Sequence, residues 1–376
     1  MAAKRHKEAQ KDPWRWVVFV TFRAFLWLQN CLTRPSDVKV FPLVTLGLLA
    51  GTIAAAAGDS VASGPAARSR ETRKACLCDV SAHKVRFITV EPGVQLEVLD
   101  WGGRGEPLVL LAGLGDNAHV FDEFAYQLND RFHVIGITRR GFGRSSQPAD
   151  GYDVATRARD DIAVLDALRI GRAIFVGHSI AGTEMNVLGA DYPDRVRKLV
   201  YLDALDLGSG GWAALPQPPS APELQPSDLR SVQRLAAADA RDDGYRKPLA
   251  ALCNSVKISP SGRVVDAITP AEISRKIIEG LRPADYARIQ APTLAILNHI
   301  TPQYRLPYYD DLPAAQRREF DSSIRALSKW NTEAIARFRS GVKNARIVEL
   351  RDANHYVFIV DESLVARELR RFLPGK

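Results

Sequence analysis

The segment Phe175-Val176-Gly177-His178-Ser179-Ile180-Ala181-Gly182 carries the plainest chemistry in the chain. A strand-like apolar run, Ala173–Gly177, passes directly into a helix-like run, with Ser179 at the corner. Such a corner strains the backbone and lifts a hydroxyl clear of the strand's end. Small residues on either side avoid clashes, and the start of a helix lends positive potential to an attacking oxygen. A serine hydroxyl is a poor nucleophile until a base takes its proton. Of seven histidines, His6 lies in the basic leading segment, His83 precedes the first strand-like run and His133 sits within one. His178 directly precedes the serine, and its side chain is expected to point away from it. His299 and His355 each follow a strand-like run, so either reaches a sheet edge. A carboxylate must orient the imidazole and stabilise its charged form. Asp203 and Asp206, after "LVYL", and Asp352, before His355, are the candidates. The bland alternatives are a serine cap on an ordinary turn and aspartates that cap loops or helices.

From about Lys84 the chain alternates strand-like and helix-like patterns, which implies a parallel sheet covered by helices. "PLVLLAG" is a continuous apolar run ending in glycine, as expected of a strand buried on both faces. "FDEFAYQL", "TRARDDIAVLDAL" and "EMNVLGADY" read as helices. The rhythm breaks after Asp206 in a stretch rich in Pro, Gly and Ser, followed by helical patterns. Residues 207–289 therefore read as a helical cap or lid inserted over the C-terminal edge of the sheet. The core falls into two parts, 76–206 and 290–376. Trp212, with Tyr304, Tyr308 and Tyr309, suits an apolar or aromatic pocket, or else core or surface packing.

Gly177-His178-Ser179-Ile180-Ala181 resembles the Gly-x-Ser-x-Gly nucleophile elbow of the α/β-hydrolase family, with Ala181 in place of the last glycine. The resemblance covers roughly Lys84 to Leu373 without the cap, and extends to exported bacterial members with "GHSIAG", "YLDA" and "NHY" blocks. It implies a mostly parallel central sheet flanked by helices, with Ser179 as nucleophile and His355 as base. The usual acid position, in "ILNHITP", holds Thr301 and no carboxylate. Some members place the acid one strand earlier, which points to Asp203, with Asp206 and Asp352 behind it. The oxyanion donors would be the backbone N–H groups of Ile180 and, after the changed Ala112-Gly113 pair, Leu114. Asp116 and His119 could line the cleft, although capping of the next helix is the simpler role. "ITRRGFGRSS" resembles a structural loop of the family, with Thr138 replacing an acidic residue. The implied activity is hydrolysis of a small-molecule carboxylic ester, with no metal or organic cofactor. The same residues serve thioester, lactone or amide hydrolysis, acyl transfer, or a catalytically silent binding protein.

The formal charge of +8 invites a nucleic-acid reading, but its distribution does not. Residues 1–75 hold 12 Lys/Arg and 5 Asp/Glu, leaving 39 basic against 38 acidic residues from Cys76 onward. The body is nearly neutral, so no phosphate-binding surface is expected. Residues 1–75 read as a basic and apolar export segment with a tether. Val40–Ala57 is an uncharged run after Lys39 leading into small residues, the order of a secretory signal peptide. A start at Val38 would give a compact signal, making residues 1–37 surplus. The expectation is an exported body, periplasmic or secreted, or one anchored by residues 40–57. Membrane contact is limited to this N-terminal segment. A disulfide from Cys76 or Cys78 to Cys253 fits an oxidising compartment. No Cys/His spacing has the form of a zinc site.

Overall fold

A computed structural model describes residues 78–209 and 211–373. The readings of residues 1–75, including the signal sequence and the start at Val38, lie outside them. The described chain builds an eight-stranded sheet. Its strands are β1 (Lys84–Glu91), β2 (Val94–Gly102), β3 (Glu106–Leu111), β4 (Phe132–Ile137), β5 (Ala173–His178), β6 (Val196–Leu202), β9 (Thr293–His299) and β10 (Ala345–Arg351). They lie in the order β1-β2-β4-β3-β5-β6-β9-β10. The β1–β2 and β2–β4 pairs are antiparallel, and all remaining neighbours are parallel. The expected mostly parallel sheet is present.

The central strands are apolar on both faces because helices cover both. Phe175 of β5 joins one apolar cluster with Leu199 and Tyr201 of β6. Their neighbours Ile174, Val176, Val200 and Leu202 join the cluster on the opposite face. That is the strict alternation of a strand, filled with apolar residues at every position. Helices α1 (Val154–Ala167) and α2 (Ala181–Asp191) follow β4 and β5, and the short α7 (Val357–Val360) and α8 (Glu362–Phe372) follow β10. Asp153 caps α1 by accepting from the Thr156 N–H at 2.9 Å. The stretch "FDEFAYQL", expected as a helix, instead lies around two short 3₁₀ turns, Ala118–Phe121 and Phe124–Gln127.

Between β6 and β9 lie α3 (Val232–Asp243), α4 (Leu249–Cys253) and α5 (Ala271–Glu279). This region also contains an antiparallel hairpin of β7 (Val256–Ile258) and β8 (Val264–Ala267), so it is not wholly helical. Leu229, Val232, Leu235, Leu252, Val256 and Val264 give the region an apolar cluster of its own. A second covering element is the 28-residue helix α6 (Ala314–Gly341), from the β9–β10 connection. Cys78 and Cys253 form a disulfide across 175 residues of sequence, joining the lead into β1 to α4. Among the described residues no helix is long and apolar enough to cross a membrane.

Candidate active site

The C-terminal tips of the strands bring the candidate residues together. Ser179 follows β5 with φ 55°, and Asp203 follows β6 with φ 44°. Both occupy the left-handed region, which costs an L-residue roughly 1–3 kcal/mol unless its surroundings hold it there. Two backbone hydrogen bonds do so: Ser179 N–H to Leu202 O (3.2 Å) and Asp203 N–H to Ile296 O (2.8 Å). Two glycines make the serine corner possible. A Cβ on Gly177 would lie 2.9 Å from Met185 Cε and 3.0 Å from Ala181 Cβ. A Cβ on Gly182 would lie 2.7 Å from Ala204 O. The turn therefore closes with Ala181 in the last position of the elbow pattern, while Gly182 gives the clearance to Ala204, just after β6.

His355 Nδ1 lies 2.6 Å from Asp203 Oδ2. The other oxygen of Asp203 accepts the Asn298 N–H at 2.9 Å. The rival carboxylates are committed elsewhere. Asp352 accepts from Thr301 N–H (2.7 Å) and Thr301 Oγ1 (2.6 Å). Asp206 accepts from the N–H groups of Gly208 (2.9 Å) and Ala284 (3.2 Å). His299 pairs with Glu349 at 2.9 Å, and His133 with Asp100 at 2.9 Å. Among the histidines of the described residues, only His355 meets Asp203.

Ser179, His355, Asp203, Leu114 and Ile180 all line one cavity of about 200 Å³. Among the described residues, the N–H groups of Leu114 and Ile180 have no hydrogen-bond acceptor. The loop bearing Leu114 is tied to α2 by Arg139, from the loop read as structural. Arg139 donates to Ala112 O (2.9 Å) and Gly113 O (3.2 Å), and to both oxygens of Glu184 (2.5 and 2.7 Å). Burial favours neutral Glu184, but Arg139 and Arg157 outweigh it and hold the carboxyl below its usual range.

The ring of His178 lies 4.6 Å from that of His355, in the wall of the same cavity. Burial, then the nearby positive potential of His355 and Lys247, push its pKa well below 6.5. The neutral ring holds its proton on Nε2 and donates to His355 O at 3.1 Å. Asn298 also holds this loop, donating to Ala353 O (2.7 Å) and accepting from Ala353 N–H (2.9 Å). Only the position of Asn298 near the end of a buried strand could have signalled its role.

Asp116 does not cap the next turn; Asn117 does, accepting from the His119 N–H. Asp116 instead takes Lys247 Nζ at 2.7 Å and the Tyr356 hydroxyl at 2.8 Å. Tyr245 stacks on Tyr356 with centroids 4.1 Å apart. This buried group ties the region between β6 and β9 to the loops around Leu114 and His355. Trp212, Tyr304 and Tyr308 line the cavity, as do Leu327 and Trp330 of α6. Tyr309 does not: its hydroxyl reaches Asp321 at 3.2 Å.

The sheet order, the strained serine corner and the carboxylate–histidine pair at neighbouring strand tips are those of an α/β-hydrolase fold. Residues 106–249 match the family model of that description. Over 101 residues it is 36% identical to 2-(acetamidomethylene)succinate hydrolase of Mesorhizobium japonicum, covering 27% of this chain and 36% of that protein. Over 122 residues it is 35% identical to a bifunctional esterase/perhydrolase of Acinetobacter calcoaceticus, covering 32% of this chain and 44% of that protein. The chain thus matches less than half the length of these curated relatives. The crystal structure of E-2-(acetamidomethylene)succinate hydrolase superposes with TM-score 0.58 at 22% identity, over 77% of this chain and 99% of that one. At that identity the likeness shows the fold.

Proposed function

We propose that the protein is a serine hydrolase that cleaves small or apolar carboxylic esters through an acyl-enzyme. The observation that carries this reading is the 2.6 Å contact between His355 Nδ1 and Asp203 Oδ2 in the cavity that Ser179 lines. Ser179 Oγ attacks the ester carbonyl while His355 Nε2 takes its proton. The carbonyl oxygen gains the negative charge and rests on the N–H groups of Leu114 and Ile180. Collapse expels the alcohol, which receives the proton from His355. Water then adds to the acyl-enzyme by the same route and releases the acid. Asp203 fixes the imidazole with its proton on Nδ1 and stabilises the cation formed in each step.

An apolar substrate is favoured by the walls, where Leu207, Trp212, Ile278, Leu306, Leu327 and Trp330 face the cavity. Residues 207–289 act as the cap in this reading, together with α6. The esterase and hydrolase names of the matched relatives fit the same class. Export accords with the Cys78–Cys253 disulfide, since such bonds persist in oxidising compartments. The substrate reading is tested by hydrolysis of p-nitrophenyl esters of increasing acyl length. Turnover by the native chain and its loss in Ser179→Ala is the expected result. Equal turnover by both proteins contradicts it.

A further inference from the structure

A second polar cluster lies outside the cavity walls, where the lead into β1 meets the short turn after β3. Asp79, His83, His119 and Asp122 each offer a ligand atom, and these atoms lie within 4.8 Å of one another. Asp122 Oδ2 is 3.0 Å from His119 Nδ1, and Asp122 Oδ1 is 3.4 Å from His83 Nδ1. Asp79 Oδ2 is 3.3 Å from His83 Nε2 and 4.0 Å from His119 Nδ1. Both imidazole side chains are only 2% exposed, and Asp122 is 4% exposed. His83 Nδ1 makes no hydrogen bond despite this burial.

We propose that these four side chains form a zinc site. Tetrahedral zinc with bonds near 2.0–2.1 Å sets its ligands about 3.3 Å apart; one ligand atom from each of the four residues already lies within 4.8 Å of the others, so binding an ion draws them together by at most about 1.5 Å. Two imidazoles and two carboxylates suit zinc better than magnesium or calcium, which take oxygen ligands. Two aspartates also balance a dication bound by neutral imidazoles. The surroundings orient the ligands: Trp101 Nε1 donates to Asp122 Oδ1 at 3.0 Å. Glu97 Oε1, buried and without a hydrogen-bond partner, faces His119 Nε2 at 3.9 Å. A carboxylate behind the far nitrogen of a ligating histidine fixes its orientation and raises its basicity. The lead segment is held in place by Tyr126, whose hydroxyl accepts from the Ala82 N–H (2.7 Å) and donates to Ala82 O (3.1 Å).

The ion would clasp residues 79–83 to the turn Ala118–Phe121, beside the disulfide at Cys78. Its role is structural, since it shares no ligand with Ser179, Asp203 or His355. The test loads the untagged, disulfide-intact chain with Zn²⁺, removes excess by dialysis and measures bound metal and Tm. The native chain should retain one zinc per molecule and melt higher than after chelation. Asp79→Asn and His83→Gln should each weaken zinc binding by at least about tenfold while keeping ester turnover. Asp79 is partly exposed, so its variant separates ligand loss from misfolding. Absence of stoichiometric zinc in the native chain, or native affinity in both variants, overturns the proposal.

Discussion

The floor and the roof of the cavity are built on different principles. On the floor, Ser179 and Asp203 stand at the tips of adjacent parallel strands, and main-chain hydrogen bonds fix both in left-handed conformations. The roof is assembled from the region between β6 and β9 and from α6, packed through apolar side chains and a few buried polar ties. The floor positions atoms through the backbone, which side-chain changes elsewhere barely move. The roof contributes apolar wall to the cavity, so its substitutions should alter binding and selectivity before chemistry.

The largest contrast lies within the floor's carboxylates. Asp203→Asn should lower kcat by about 10³–10⁴-fold, because the amide no longer holds or stabilises the charged imidazole. Asp352→Asn, which weakens its bonds to Thr301 and removes the charge facing Arg351, should cost about 1–3 kcal/mol of stability with far less effect on kcat. Equal kcat losses in the two, measured with one ester, would remove Asp203 from its assigned role.

Next comes the tie between roof and floor. Lys247→Met strands the buried Asp116 carboxylate and should destabilise the fold by about 3–5 kcal/mol in urea melts. Lys247→Met with Asp116→Asn should recover part of that loss. A smaller effect is expected within the roof itself. Trp212→Ala removes apolar wall and should lower kcat/KM for long acyl chains about tenfold or more, with short chains nearly unchanged. A uniform loss across chain lengths would instead place Trp212 in the chemistry.

The smallest effect concerns pH. His178 is held neutral in the fold, its pKa well below the 6.5 of an exposed histidine. As pH falls below about 6.5 the unfolded chain takes up a proton that the native chain refuses, so stability falls by at most about 1.4 kcal/mol per pH unit from this group. His178→Gln should flatten that acid limb in urea melts between roughly pH 6.5 and 5. An unchanged slope would mean that His178 does not contribute to it.

Much of the floor was legible in the sequence because its signals are local. The run into Gly177-His178-Ser179 announces a strand, a corner and a helix within ten residues, and the structure has all three. The apolar strands "PLVLLAG" and "PTLAILN" read correctly for the same reason. The roof was legible only as an interruption. Its hairpin β7–β8 is short and half exposed, giving little alternation to detect. The Lys247–Asp116 pair joins residues 131 positions apart, and no local pattern encodes such a contact. The contact between His178 and His355 joins residues 177 positions apart, and no local pattern encodes it either. The cluster of Asp79, His83, His119 and Asp122 likewise comes from two distant segments, so it has no zinc-type spacing to read.

The central claim is that Ser179 is a nucleophile made reactive by His355. Labelling with a fluorophosphonate probe, read by intact mass and peptide mapping, tests it most directly. The account predicts one adduct, on Ser179, with labelling slowed by orders of magnitude in His355→Ala. No adduct on Ser179, or an unchanged rate in His355→Ala, would contradict it.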